Sequence, residues 1–147
     1  MQAFPHRYSV VAQASGQGDV ALQGDRLPPI ASAPPTEFDG PGDRWSPETL
    51  FVAAVADCFV LTFRAIAGMS RLPWLSLECA VAGTVDRVER VTQFTDLEIR
   101  VRLRLPAGAK EDQALRLLTK AEEGCLVTNS LKIHPRLDAR VEVEPAS

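Results

Sequence analysis

The chain has 147 residues, a net charge of −3 at pH 7 and charged side chains spread along its length, which predicts one domain and argues against a nucleic-acid-binding surface. Its three cysteines are an odd number, which argues against a secreted disulfide scaffold, and its N-terminus lacks the pattern of a signal peptide. The longest apolar run, residues 50–56, is too short to span a bilayer. We therefore expect a single soluble domain over residues 1–147, located in the cytoplasm, without nucleic-acid or membrane partners.

The N-terminal part predicts a β-hairpin followed by a long connector. Residues 8–14 alternate loosely, residues 15–19 have the composition of a turn, and residues 20–23 have the pattern of a second strand. Residues 28–44 contain five prolines and two glycines, which excludes a regular helix and permits only short extended pieces. Such a connector is longer than most loops, and long loops are often functional.

A long apolar helix is predicted from Pro47 to about residue 67. Ser46 offers a hydroxyl cap, Pro47 suits the first helical position, and Glu48 places a carboxylate at the positive end of the helix dipole. Gly68 then provides a stop. Because apolar residues cover almost the whole circumference of this helix, we expect it to be buried in the middle of a domain or of a dimer.

The second half of the chain predicts two strands, a helix and a last strand. Residues 75–88 and 95–105 are long alternating stretches, and residues 110–123 have the periodicity of an amphipathic helix. After a short turn or helical piece, residues 137–144 alternate again and close the sheet. This order predicts an α+β fold with a largely antiparallel sheet and a long buried central helix.

Cys58 and Cys125 are the candidates for chemistry. Cys58 lies in the long helix, and Cys125 follows a glycine near the end of the second helix, where a thiol is more easily exposed. Either could also be a small apolar core residue, and Cys79, which follows the strand pattern, is assigned to packing. A thiol that reduces a peroxide must be a thiolate and must meet a second thiol that resolves its sulfenic acid. The pair therefore predicts a two-cysteine redox site.

Charged residues near the long helix are candidates for activating Cys58. Glu48 stands ten positions before Cys58, about 15 Å along a straight helix, so the two can share a site only through a bend or a second subunit. Arg44, just before the helix cap, is the preferred cation, although it could equally be a solvated loop residue. Arg64 is the other candidate, about 9 Å from Cys58 along the helix axis.

Two segments of the chain resemble the OsmC/Ohr family of thiol peroxidases. They are Ser-Pro-Glu-Thr-Leu-Phe-Val-Ala-Ala-Val-Ala-Asp-Cys at 46–58 and Glu-Gly-Cys-Leu-Val-Thr-Asn-Ser at 123–130. The resemblance implies an intertwined homodimer with two sites at the subunit interface, where organic hydroperoxides are reduced without a metal or bound cofactor. It implies an antioxidant role in oxidative stress, with a dithiol such as a lipoylated protein as the reductant.

The resemblance also implies roles for individual residues. Cys58 becomes the peroxidatic cysteine, Cys125 resolves it as an intramolecular disulfide, and Glu48 orients an arginine that polarises the peroxidatic sulfur. The Ohr branch has that arginine in the N-terminal hairpin, where this chain has residues 15–19, and the OsmC branch has it just before the segment that corresponds to residues 36–40. Neither position holds an arginine here, which leaves Arg44 as the candidate.

Two alternatives to a peroxidase remain open at this point. One is a divergent family member that binds a small apolar ligand or senses oxidants at the dimer interface, and low reactivity of Cys58 toward a maleimide would favour it. The other is an unrelated α+β dimer in which both cysteines are core residues. In that case, serine at either position would affect stability and no activity.

Overall fold

A computed structural model describes the whole chain, Met1–Ser147, and contains six strands and three α-helices. The elements in chain order are β1 (Val11–Gln13), β2 (Val20–Gln23), β3 (Ile30–Ser32), α1 (Pro47–Met69), β4 (Ser76–Val88), β5 (Val91–Leu105), α2 (Glu111–Glu123), α3 (Leu126–Asn129) and β6 (Arg136–Val143). The strands form two three-stranded sheets, β1–β2–β3 and β4–β5–β6. The α+β class is therefore confirmed. The chain divides into two compact units, Met1–Phe51 and Val52–Ser147, and the single domain stays a prediction.

The first unit is built on the predicted hairpin. β1 pairs antiparallel with β2, and β3 pairs antiparallel with the other side of β2. The proline-rich connector supplies β3 and a single 3-10 turn, Thr36–Phe38, which are the short pieces expected of it. Gly40 lets this turn close, because a Cβ at that position would overlap the backbone carbonyl of Pro34.

α1 begins where the sequence predicts and ends slightly later. The N–H of Thr49 donates to Ser46 Oγ at 3.1 Å, and the N–H of Ser46 donates to Thr49 Oγ1 at 2.8 Å, so the two residues cap each other. The predicted stop at Gly68 is wrong, because the helix continues through it to Met69. Arg71, with a φ of 55°, supplies the left-handed residue that follows the helix end in place of a glycine.

α1 is apolar all round, but in one chain only a stripe of it is buried. The buried residues recur every four positions and are Val55, Phe59, Phe63 and Ala67. Leu61 is 50% exposed, and Ala54 and Ala65 on the same side are exposed. The predicted burial on all sides is therefore not met within a single chain. By length and composition α1 would also suffice to cross a membrane, a test that the core helices of soluble proteins pass as well.

The second unit is built on a long β4–β5 hairpin. The two strands pair antiparallel from Val88 opposite Val91 back to Ser76 opposite Arg104. Glu89 and Arg90 form the tip of the hairpin with φ values of 51° and 70°. A two-residue hairpin turn whose twist matches that of the strands requires positive φ at both of its residues. β5 therefore begins four residues earlier than predicted, since a tight turn without glycine or asparagine carries no clear turn signal in the sequence.

β6 joins the sheet in the opposite sense to β4. It pairs parallel with β5, with Leu137 opposite Ile99. Three of the four strand pairings in the chain are antiparallel, so the largely antiparallel prediction holds while its last strand differs. The parallel pairing requires a crossover from the end of β5 back to its beginning, and α2 and α3 lie in that crossover.

α1 and α2 cover one face of the β4–β5–β6 sheet. Val52 Cγ1 lies 2.9 Å from the position that a Cβ on Gly83 of β4 would take, and the Phe63 ring packs edge-on against Trp74 with centroids 5.6 Å apart. α1 therefore runs antiparallel to β4. The core residues from β5 and α2 are Leu97, Ile99, Val101, Leu103, Leu105, Ala114, Leu117, Leu118 and Ala121.

The other face of this sheet is polar, as the alternation predicts. Arg100, Arg102 and Arg104 are exposed between the buried β5 residues. They form ion pairs with carboxylates of the same sheet, such as Arg102 Nε with Glu142 Oε1 at 2.9 Å.

Candidate functional site

Cys58 and Cys125 are brought together in the second unit. Cys58 is half-buried on α1, and Cys125 is fully buried in the turn between α2 and α3. Thr62, one helical turn after Cys58, places its Oγ1 3.9 Å from Cys58 Sγ. The methyl group of the same threonine lies 3.7 Å from the position that a Cβ on Gly124 would take. Because Gly124 immediately precedes Cys125, these contacts make the two thiols neighbours.

The pKa of Cys125 depends on its burial and on its neighbours. Burial raises the pKa of the Cys125 thiol, and the thiol of Cys58 beside it raises that pKa further. The backbone N–H and the hydroxyl of Thr128 act in the opposite direction. Since burial is the largest cause, Cys125 favours the protonated thiol, and Cys58 is the thiol of the pair that solvent can reach.

The turn that carries Cys125 is fixed by hydrogen bonds to its own backbone. The side-chain amide of Asn129 donates to the carbonyl of Glu123 at 3.0 Å, and its backbone N–H donates to the Cys125 carbonyl at 3.0 Å. The Thr128 hydroxyl donates to the same Cys125 carbonyl at 3.2 Å. Asn129 thus satisfies a carbonyl at the end of α2 and holds the turn, which is a physical reason for an asparagine four residues after the cysteine.

Arg44 lies in the first unit, where it is paired with two aspartates. Its Nε is 2.9 Å from Asp19 Oδ2, and a terminal nitrogen is 3.3 Å from Asp43 Oδ2. The hydrogen bond to Asp19, followed by the charges of both carboxylates, raises the pKa of Arg44. The charge of Arg44 is therefore already balanced within its own unit.

Glu48 carries an unsatisfied oxygen. It lies in the first turn of α1, where the helix dipole favours a negative charge, yet its Oε2 is buried without any hydrogen-bond partner. A buried carboxylate oxygen without a partner is costly, so the position is suited to a cation or an N–H donor. Along α1, Glu48 precedes Cys58 by ten residues, or about 15 Å.

Sequence reasoning missed Thr62 as a residue of the site, although its spacing of four from Cys58 was a usable signal. Cys79 was assigned to packing, and its half-burial agrees with that. Burial raises the pKa of the Cys79 thiol to about 11, and the charge of Cys125 contributes to this shift.

The second unit therefore presents two neighbouring cysteines, a half-buried one on the long apolar helix and a fully buried one in the turn between α2 and α3. Among known protein families, the model described as OsmC-like protein matches residues 40–140 of this chain. The match covers more than half of the sequence, and the chain belongs to the OsmC-like family.

Individual relatives agree with this assignment. An OsmC-like protein of unknown function from Vibrio cholerae superposes with a TM-score of 0.82 at 17% identity, covering 93% of this chain and 99% of its own. An organic hydroperoxide resistance protein OsmC from Legionella pneumophila superposes with a TM-score of 0.70 at 25% identity, over 95% and 100% of the two chains. The uncharacterized protein YmaD of Bacillus subtilis is 26% identical over 113 residues, 75% of each chain.

Proposed function

We propose that this protein is a thiol-dependent peroxidase that reduces organic hydroperoxides, with Cys58 as the peroxidatic and Cys125 as the resolving cysteine. The observation that carries the proposal is the placement of a solvent-accessible thiol beside a fully buried one. Membership of the OsmC-like family supports it, as does the likeness to a Legionella pneumophila protein named for organic hydroperoxide resistance.

The different burial of the two thiols supports this division of roles. The Cys58 thiolate attacks an oxygen of the hydroperoxide, the O–O bond breaks, an alcohol leaves and Cys58 becomes a sulfenic acid. Cys125 then attacks the Cys58 sulfur, water leaves and a disulfide forms. A dithiol, such as that of a lipoylated protein, restores both thiols by exchange. Because Cys125 is buried, its first accessible partner is Cys58 rather than the substrate.

The proposal includes a homodimer. A single chain leaves Ala54, Leu61 and Ala65 of α1 exposed, and an apolar helix face of this kind is stable when a second copy covers it. The same dimer is the proposed source of a partner for the unsatisfied oxygen of Glu48. Arg44 remains the proposed cation, since its ion pairs with aspartates are exposed and such pairs hold a side chain only weakly.

A second candidate function is a divergent member that binds a small apolar ligand or senses oxidants without turnover. The observation in its favour is the charge balance of Arg44, which is committed to two carboxylates. A cysteine that attacks a peroxide is activated by a nearby cation, and Arg44, the candidate for that role, is instead held by Asp19 and Asp43.

The test of the peroxidase is a count of free thiols after one equivalent of cumene hydroperoxide is added to the reduced protein. We expect the wild type to lose two thiols and Cys125→Ser to lose one, as a sulfenic acid that dimedone traps. Cys58→Ser is the matched control and should lose none. If the wild type keeps all three thiols, the peroxidase proposal is wrong and the ligand-binding or sensing function gains support.

A further inference from the structure

Thr62 is the side chain that contacts both halves of the cysteine pair. Its Oγ1 lies 3.9 Å from Cys58 Sγ, and its methyl group lies 3.7 Å from the position that a Cβ on Gly124 would take. Cys58 and Thr62 are four residues apart on α1, a spacing that places two side chains on the same side of a helix, one turn apart. The hydroxyl therefore faces the sulfur, and the methyl group faces the turn that carries Cys125.

The hydroxyl of Thr62 is placed differently from that of a threonine that bonds to its own helix. Thr119 on α2 shows the usual arrangement, in which Oγ1 donates to the carbonyl four residues earlier, here that of Leu115 at 3.2 Å. The Oγ1 of Thr62 is instead within reach of Cys58 Sγ. A thiol can donate to a hydroxyl or accept from it, whereas a thiolate can only accept. Once Cys58 loses its proton, Thr62 is therefore the donor in this contact.

A hydrogen bond of this kind depends on the charge of the sulfur. Hydrogen bonds to an ionised acceptor are shorter and about twice as strong as those between neutral groups. At 3.9 Å the contact of the Thr62 hydroxyl with a neutral thiol is weak, and the charge of a thiolate would draw the hydroxyl closer. Because the bond to the thiolate is the stronger one, it favours the ionised form of Cys58, which is the form that attacks a peroxide.

We propose that the Thr62 hydroxyl donates a hydrogen bond to the Cys58 thiolate and is a catalytic residue of the peroxidase, an inference that rests on the proposed function. When the thiolate attacks the hydroperoxide, the O–O bond breaks, and the sulfur takes the terminal oxygen with its hydrogen as a sulfenic acid. The alkoxide that leaves takes a proton from water and becomes an alcohol. Thr62 keeps its own proton throughout and acts only as a donor.

The hydrogen bond has two opposite effects on the rate. Where ionisation is incomplete, one hydrogen bond to a charged group increases the ionised fraction of Cys58 by about tenfold. It also lowers the intrinsic nucleophilicity of the sulfur by about threefold, because nucleophilicity falls with the basicity of a thiolate. Loss of the hydroxyl should therefore slow the reaction at low pH, where few thiolates form. At high pH, where all of Cys58 is ionised, the same loss should leave the reaction as fast or faster.

The experiment compares Thr62→Val and Thr62→Ser in a Cys125→Ser parent, in which Cys58 has no resolving thiol. Valine keeps the branched shape and the methyl contact with the turn but loses the hydroxyl, whereas serine keeps the hydroxyl. The rate at which iodoacetamide alkylates Cys58 is measured from about pH 5 to pH 10 on its tryptic peptide, 45–64. We expect the Thr62→Val profile to lie about one pH unit higher, with a plateau about threefold higher, and the Thr62→Ser profile to follow that of the parent.

The other charged groups around Cys58 are the same in all three proteins. Asp57 and Arg64, the nearest on α1, are both exposed. At the end of α2, Glu122 is buried and Glu123 is exposed. A difference between the profiles therefore reports the hydroxyl rather than a neighbouring charge.

The same three proteins are then treated with cumene hydroperoxide at a pH on the rising part of all the profiles, and dimedone traps the sulfenic acid on Cys58. We expect Thr62→Val to form the sulfenic acid about threefold more slowly than the parent, and Thr62→Ser to form it at the rate of the parent. The recovery by serine separates the hydroxyl from the shape of the side chain.

The outcomes separate this inference from the peroxidase itself. A Thr62→Val profile that coincides with that of the parent, or that is lower by the same factor at every pH, would overturn the hydrogen bond. A Thr62→Ser profile that matches Thr62→Val would overturn it as well. If the alkylation profiles are as expected but the parent forms no sulfenic acid, the hydrogen bond stands and the proposed peroxidase is wrong.

Discussion

The thiols of the site differ mainly in their surroundings. Cys58 is half-buried beside a threonine hydroxyl, Cys125 is fully buried in a hydrogen-bonded turn, and Cys79 faces the apolar layer under α1. Burial without a nearby cation favours the neutral thiol over the thiolate. Three chemically identical side chains therefore meet three different environments.

Cys79 should make the protein sensitive to alkali. Its pKa is raised from 9.0 to about 11 in the folded protein, so the folded state favours the protonated thiol. The stability that this thiol contributes is complete below its unfolded pKa and is lost as the pH rises through about 11. We expect Cys79→Ala to lose less stability than the wild type between pH 8.5 and 10.5, measured by urea unfolding of reduced protein. Parallel pH profiles of the two proteins would contradict the raised pKa.

Residue patterns singled out the candidate cysteine pair but not the contacts around it. Cys58 and Cys125 were identified because each stands in a recognisable segment, 46–58 or 123–130. Contacts such as that of the Thr62 methyl group with the turn at Gly124 join segments that are far apart in the chain. Such contacts depend on the angle and height at which elements pack, and local patterns carry no information about either.

The turn between α2 and α3 is the element that positions Cys125, the proposed resolving cysteine. Thr128 is buried, and its hydroxyl donates to the Cys125 carbonyl while also lowering the pKa of the Cys125 thiol. The Thr128 side chain therefore stabilises the turn and partly offsets the effect of burial, which raises the pKa of Cys125. We therefore expect replacement of Thr128 to change the reactivity of the Cys125 thiol.

Thr128→Val should slow resolution while leaving the first oxidation unchanged. The shape of the side chain is nearly kept, the hydroxyl is lost, and the pKa of Cys125 rises further, so we expect disulfide formation to slow about threefold to tenfold and stability to fall by about 1 kcal/mol. Stopped-flow tryptophan fluorescence after hydroperoxide mixing measures the two steps. The matched control is Thr119→Val, which removes an exposed hydroxyl bonded to the Leu115 carbonyl on α2. Equal resolution rates in both variants would contradict the role of Thr128.

Helices were predicted more accurately than the ends and partners of strands. α1 and α2 were placed within about two residues because caps and periodicity are local signals. The start of β5 was missed because Glu89 and Arg90 adopt positive φ without the usual turn residues. The parallel pairing of β6 was not predicted, since alternation shows which face of a strand is buried but not which neighbour it has or in which direction it runs.

At the scale of the whole molecule, α1 has more apolar surface than one chain covers. Leu61 lies on the exposed side of the helix, opposite the buried stripe. The predicted dimer would cover this side of the helix. An exposed apolar surface of this kind is the feature by which a single chain indicates contacts with a second copy. Because this face is apolar, one charged side chain placed on it should be enough to disrupt the dimer.

Leu61→Glu should dissociate the dimer. A carboxylate at a buried interface position loses its hydration without gaining a partner, so we expect the dimer to weaken at least a hundredfold. Sedimentation velocity of the wild type and the variant measures the change. Met69→Glu, at the 79% exposed end of α1, is the matched control and should remain dimeric. A monomeric wild type would contradict the dimer itself.

The parallel pairing of β6 affects the order in which the site is assembled. Cys58 and Cys79 belong to α1 and to the local β4–β5 hairpin, whereas Cys125 lies in the crossover that precedes β6. Contacts between residues far apart in the chain form late, after local hairpins and helices. During synthesis, a ribosome-bound chain would therefore expose Cys58, the proposed peroxidatic thiol, before Cys125 has arrived, and an oxidant present at that moment would meet Cys58 without the thiol proposed to resolve it.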